Sequence, residues 1–391
     1  MPGAATHGSL SDLTATLVHP FPMSLFTRRP FLRWLVPAVA AVVLAAGGSA
    51  VGILTANARG GLPERSPAQL LVDVQKARLD GLSGTIVQNA HLGLPSLPGV
   101  GGAGSSDMTS LVSGSHTLRL WYAGPNRVRL ALLGSLGESD LVRNGTDLWT
   151  WSSRDKSATH HKVSLTKRDT PGLLADSAPT TPQKAADAAL SAIAPTTKVS
   201  TNGTTVVAGR NAYELVLQPK DAGSLVESVH IAIDGKTHIP TRVQIFAQNS
   251  QDPSFEVGFT SFDPTTPDST AFSFNPPPGT KVTEGTTPKS HEALPSDEKG
   301  LRRPADQASS AAEPRIVGTG WSTVVVAKLP AGATSGAGQV SRMLDVLPTV
   351  SGTWGSGHLL KGTLFSALIT DDGRVVVGSV APKALYAALG S

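Results

Sequence analysis

Between residues 82 and 262 the chain repeats one pattern: a few residues alternating apolar with polar, then a tight turn rich in Gly, Asn or Pro. Asn144-Gly145, Asn202-Gly203 and Asp234-Gly235 are dipeptides whose residues accept positive φ, as two-residue hairpin turns require. A period of two puts successive side chains on opposite faces of a strand, so this run reads as antiparallel sheet rather than helix. Leu118, Leu120 and Tyr122 alternate with Thr117, Arg119 and Trp121, and beyond Gly124-Pro125-Asn126 the residues Val128, Leu130 and Leu132 alternate with Arg127, Arg129 and Ala131. The arginines mark a wet face and the aliphatics a dry one.

Later segments repeat the dry face: Leu215 with Leu217, Ile231 with Ile233, Val243 with Ile245, and Phe255 with Val257 and Phe259. Trp149 and Trp151 share one face of their own strand, where two indoles either fill a core or line a pocket. About nine to eleven strands are expected, too many for a flat open sheet, so the sheet should curl with helices over its concave side. Two helices are available. Over 66–80 Ser66 can cap, Pro67 fits the first turn, and Leu70, Leu71, Val74 and Ala77 recur at three and four; 181–193 is Ala-rich.

Five segments follow from the composition shifts. Residues 1–22 have no periodicity and are given no role, Met23 being an alternative start. Residues 23–58 form an export signal or an N-terminal membrane anchor: Arg28, Arg29 and Arg33 precede an apolar run over 34–54, and Ala56-Asn57-Ala58 has the small-x-small pattern of a signal-peptidase site. The run is about as long as the ~20 residues of a spanning helix, while Pro37, Gly47, Gly48 and Gly52 weaken it as a span. If uncleaved, residues 34–54 tie the chain to a membrane. The Arg28-Arg29 pair suits a twin-arginine export signal or an ordinary basic leader, and either route places the remainder outside the cytoplasm. Residues 59–283 hold the strand series, 284–314 form a linker rich in Ser, Pro and charge, and 315–391 form a small C-terminal α+β domain. In that domain a β segment over 315–329 precedes a helical pattern at 340–347, a hairpin around Asp371-Asp372-Gly373 and a final helix at 382–389.

Composition excludes several function classes. The chain has no Cys, so it can form neither a disulfide nor a thiolate site. Residues 1–58 carry three Arg and one Asp, which leaves 30 basic against 28 acidic residues in the rest, without the basic stripe of a nucleic-acid-binding protein. No G-x-S-x-G, H-E-x-x-H or Walker loop is present. The loop at 94–109 contains Gly99-Val100-Gly101-Gly102-Ala103-Gly104, but it lacks the preceding strand, the following helix and the later acidic residue of a dinucleotide site. His160 and His161 are adjacent in a strand and point to opposite faces, and His230 and His238 lack a third ligand at suitable spacing, so neither pair suggests a metal. No cofactor and no catalytic residue is expected.

Three ordered stretches carry a resemblance: Asn144-Gly145-Thr146-Asp147-Leu148-Trp149-Thr150-Trp151, then Ile233-Asp234-Gly235-Lys236-Thr237-His238-Ile239-Pro240-Thr241-Arg242-Val243, then Phe272-Ser273-Phe274-Asn275-Pro276-Pro277-Pro278-Gly279-Thr280-Lys281-Val282. Together they resemble the outer-membrane lipoprotein carrier superfamily, which includes LolA, LolB, LppX-type lipid carriers and the N-terminal domain of RseB. The resemblance spans about residues 66–283. It implies an unclosed antiparallel β-barrel lidded by helices, which holds acyl chains and has no enzymatic activity. The expected site is therefore an apolar cavity lined by the aliphatics above together with Trp149 and Trp151, and the expected partner is a lipid or lipoprotein acyl chain. The added second domain is similar to the RseB arrangement and implies an alternative: an envelope sensor that modulates a membrane-bound anti-sigma factor.

Overall fold

The computed structural model describes residues 62–95, 105–135, 137–163, 182–285, 314–329 and 344–390, all within one compact unit, Val42–Ser391. The leader, most of the linker, the glycine run at 99–104 and the first half of the helical pattern at 340–347 lie outside the described residues.

The first sheet has twelve strands: β1 (Leu82–Ala90), β2 (Gly114–Tyr122), β3 (Arg127–Gly134), β4 (Gly137–Asn144), β5 (Asp147–Ser152), β6 (Ser157–Lys162), β7 (Thr197–Val207), β8 (Arg210–Pro219), β9 (Val226–Asp234), β10 (Pro240–Ala247), β11 (Pro253–Asp263) and β12 (Lys281–Glu284). Their order across the sheet is β12-β6-β5-β4-β3-β2-β1-β11-β10-β9-β8-β7, so the sheet ends on two free edges and does not close. Every pairing is antiparallel except that of β12 with β6. The sheet is curved. Ala208, in the turn after the edge strand β7, packs against the cluster that holds Leu120 and Phe262. The second sheet has six strands, β13 (Arg315–Val317), β14 (Val324–Lys328), β15 (Thr349–Gly352), β16 (Gly355–Lys361), β17 (Ser366–Thr370) and β18 (Arg374–Gly378), in the order β13-β14-β18-β17-β16-β15.

Helix α1 (Pro67–Lys76) begins as its sequence dictates. The Ser66 hydroxyl accepts from the Gln69 N–H at 3.2 Å, and the Gln69 side chain accepts from the Ser66 N–H at 2.9 Å, which satisfies two amides that the first turn leaves free. Its Leu70 is fully buried against Tyr213, Leu215 and Ile233, so α1 roofs the β8–β9 part of the sheet. Helix α2 (Pro182–Ile193) packs on α1, and α3 (Pro382–Gly390) covers the second sheet with Leu385 and Leu389.

Two turns and one strand depart from expectation. Asp234-Gly235 is not a two-residue turn: residues 235–239 join β9 to β10, and the left-handed φ falls at His238, +57°, rather than at Asp234 or Gly235. Asn202-Gly203 is not a hairpin turn. It forms a bulge inside β7, where the register slips between Thr201 and Thr204, and Gly203 takes φ +63°. The reversal comes five residues later at Ala208-Gly209, with φ of +50° and +72°, the left-handed pair of a type I′ turn. β12 was not legible as a strand, because Lys281, Val282, Thr283 and Glu284 carry no buried face and pair only through their backbone.

Candidate functional site

Register settles which side chains share a face. Trp121 stands opposite Arg129, Arg129 opposite Val142, Val142 opposite Trp149, and Trp149 opposite His160, one row across five strands. Leu120, Leu130, Leu141 and Thr150 form the matching row on the other face. Trp149 and Trp151 therefore lie on the arginine face, opposite Leu118, Leu120, Tyr122, Val128 and Leu130, and cannot line one cavity with them.

The arginine face is the outer one, and a segment beyond β11 covers it. Phe272, fully buried, closes the short helix Ser269–Phe272, with the Arg127 guanidinium 5.9 Å from its ring. Phe274 packs at 5.3 Å from the Trp149 ring and 6.2 Å from that of Trp151. The chain then runs through Pro276-Pro277-Pro278 into β12. There Glu284 meets His160 Nδ1 at 3.0 Å, while His160 Nε2 meets Asp147 at 2.7 Å and the imidazole stacks on Trp149 at 4.3 Å. The indoles thus fill an outer core that fastens the edge strand. His161 points to the other face, as expected, and His230 and His238 lie on separate partners, Ser228 and Asp73.

The remaining expected residues share the inner face. β1 joins the halves: Ile86 stands opposite Leu118 on one side and Phe259 on the other. Val257 stands opposite Val243, Val243 opposite Ile231, and Ile231 opposite Leu215; Phe255, Ile245, Val229 and Leu217 form the adjacent row. Leu118, Leu120, Tyr122, Leu215, Ile233, Val243 and Phe259 are buried, whereas Val128, Leu130, Leu217, Ile231, Ile245, Phe255 and Val257 are only half-buried.

Three covers meet on this face. One is α1, over Tyr213, Leu215 and Ile233. The second is the stretch of Ala77 and Leu79 with Leu111, over Leu120 and Phe259. The third comes from the second sheet: Leu364, in the β16–β17 turn, is buried against Val226, Val229, Val243 and Ala247, with Phe365 and Trp321 beside it. The Thr363 N–H donates to the Leu92 carbonyl at 2.8 Å and anchors this turn. Leu217, Ile231 and Val257 each touch two of the three clusters, so they mark the seam between the covers.

Among the polar side chains on the inner face, Gln88 and His116 form a buried pair. Gln88 and His116 stand directly opposite each other on β1 and β2, at the same parity as Ile86 and Leu118. They are 4% and 2% exposed. Among the described residues Gln88 Oε1, Gln88 Nε2 and His116 Nδ1 have no hydrogen-bond partner, while His116 Nε2 bonds the Ser113 carbonyl at 2.8 Å. Leaving such groups unpaired costs about 1–3 kcal/mol each. Sequence reasoning passed over both, although a Gln between Ile86 and Ala90 at core parity was a readable signal.

No family model matches the chain, and no curated protein matches it either. Solved structures do. The Pseudomonas aeruginosa MucA/MucB complex matches at 15% identity with a TM-score of 0.38, covering 82% of this chain and 94% of that one. A LolA superfamily protein from Nitrosomonas europaea matches at 9% identity with a TM-score of 0.20, covering 54% and 99%. A lipoprotein-sorting protein domain from Vibrio parahaemolyticus, described as putative, matches at 9% with a TM-score of 0.18, covering 49% and 88%.

Proposed function

We propose that the protein is a non-catalytic extracytoplasmic carrier or chaperone that holds a lipid or lipoprotein acyl chain against the inner face of the twelve-stranded sheet. The observation that carries this reading is the seam. Half-buried aliphatics such as Leu217, Ile231 and Val257 stay partly uncovered between three separate roofs, in a curved sheet with two open edges. An acyl chain laid along them gains about 0.8 kcal/mol for each CH₂ removed from water, so one chain suffices for useful affinity. The basic and apolar leader pattern over 23–58 supports a location outside the cytoplasm, secreted or anchored to the outer face of the cytoplasmic membrane.

The test is to purify the full chain, extract lipid, record native mass spectra and titrate a fluorescent fatty acid. A co-purifying lipid or saturable uptake supports the reading. Ile231→Glu and Val257→Glu should remove uptake, because each introduces an unpaired carboxylate into the seam. A ligand-free protein that takes up no probe overturns it.

One observation favours a second reading, an RseB-like sensor acting on a membrane-bound anti-sigma factor. Leu364 of the second sheet occupies the same inner face as the seam, so a ligand that fills the seam would compete with that turn. A pull-down from membranes with the full chain, with and without loaded acyl ligand, tests it. Identical partners in both states would count against a sensor.

A further inference from the structure

We infer that Gln88 and His116 form a polar recognition site inside the proposed acyl cavity, one that selects an acyl carbonyl group carrying a neighbouring N–H or O–H. This rests on the acyl-carrier reading and narrows its ligand to uncharged acyl esters bearing a free hydroxyl and to secondary acyl amides.

The donor and acceptor inventory fixes the chemistry. His116 Nε2 lies 2.8 Å from the Ser113 carbonyl, an acceptor, so the bond assigns the ring proton to Nε2 and leaves Nδ1 as a bare acceptor. Gln88 directly opposite supplies an unused NH₂ and an unused carbonyl oxygen. The complement of this set is a group that donates one hydrogen bond to Nδ1 and accepts one from the Gln88 amide. A monoacylglycerol presents that pattern through its ester carbonyl and free hydroxyl, and a secondary amide through its C=O and N–H.

The surroundings favour a neutral ligand. The register neighbours of the pair on β1, β2 and β11 at the same parity are Ile86, Ala90, Gly114, Leu118 and Val257, and none of them carries a charge. A carboxylate brought there would lose its hydration without gaining a counter-ion. Val257 stands opposite Gln88 and is also a seam residue, so a chain lying along the seam can place its polar end at the pair.

The experiment uses the full chain with a displaceable naphthylamine fluorophore, and two competitors of equal chain length delivered from the same detergent: 1-monooleoylglycerol and 1-octadecene. The wild type should prefer the monoacylglycerol by about tenfold or more, the equivalent of one well-made hydrogen bond. Gln88→Met and His116→Leu should each abolish that preference and keep the affinity for octadecene within about twofold. The melting temperature of Gln88→Met should stay level or rise, because an unpaired buried polar group has been replaced by an apolar one, whereas His116→Leu also loses the bond to the Ser113 carbonyl and should melt slightly lower.

A wild type that binds octadecene as tightly as monooleoylglycerol overturns this inference while leaving the acyl-carrier reading intact. So does a preference that survives both substitutions, or a fall in the melting temperature of Gln88→Met, which would mean that the amide is satisfied by buried water and serves the fold. A wild type that binds neither competitor overturns the inference together with the reading beneath it.

Discussion

The indole Nε1 of Trp321 donates to the hydroxyl of Thr197 at 2.8 Å and thereby ties the second sheet to the first residue of β7. Thr197 is only 4% exposed, so the bond is shielded from water. Close by, the Ser322 hydroxyl and the Gly223 N–H hold the Asp221 carboxyl below its usual range. Trp321→Phe should cost about 1 kcal/mol, because it removes the indole bond and leaves the Thr197 hydroxyl only its 3.4 Å contact with Thr196 Oγ1. Hydrogen exchange should report it, with faster exchange at the Leu225 amide, which bonds the Ser379 carbonyl, and at the Thr363 amide. Unchanged protection at both would mean that the indole bond does not hold the sheets together.

Leu364 packs against Val226, Val229, Val243 and Ala247. Leu364→Ala should destabilise by about 2–5 kcal/mol, the range for a buried leucine truncated in a packed core. If the turn competes with ligand for the inner face, the same variant should take up a fluorescent fatty acid more tightly. Urea titration and probe titration on one preparation separate the two effects.

Phe272→Ala should lower stability by about 3–5 kcal/mol, since the ring is fully buried on the outer face. Probe affinity of the folded fraction should not change, because Phe272, Phe274, Trp149 and Trp151 lie across the sheet from the seam. A parallel loss of binding would contradict that placement.

Gly84→Ala should destabilise by about 1–3 kcal/mol. An added Cβ would sit 2.4 Å from the Ser261 carbonyl oxygen and 2.8 Å from Phe259 Cδ1, beside the bulge that lets Phe259 and Phe262 share the inner face. A thermal melt that matches the wild type would show that the bulge relaxes freely.

Asp234 gives the fold an acid limit. Burial pushes its pKa up, but the Arg210 guanidinium, at 2.6 and 2.9 Å, and the N–H and hydroxyl of Thr237 outweigh that and hold it below the usual carboxylate range. The folded pKa is depressed, so the stabilisation is complete above the unfolded value of about 3.9 and is lost as pH falls through the folded one. Urea midpoints should therefore drop below about pH 4. Arg210→Ala should cost about 3–5 kcal/mol at neutral pH by leaving a buried carboxylate without its counter-ion, and should flatten the acid limb.

Much of the architecture was legible. The period-two runs marked nearly every strand of the first sheet, Ser66-Pro67 marked the start of α1, and Asp371-Asp372-Gly373 marked the β17–β18 hairpin. These are local signals, set by backbone sterics and by side chains a few residues apart. The bulge at Gly203 was misread because an Asn-Gly pair fits a turn and a bulge equally well, and only the pairing partner distinguishes them.

The sequence by itself determined which residues share a face within each strand, because the alternation of side chains is a property of a single extended backbone. Only the tertiary structure decided how those faces join across strands. A one-residue change in turn or register moves a whole strand's side chains to the other face. That is why Trp149 and Trp151 turned out to row with Arg129 rather than with Leu130, and why Gln88 came to stand opposite His116. The roof over the inner face was likewise beyond any local pattern, since Leu364 reaches Val243 from more than a hundred residues away in the chain.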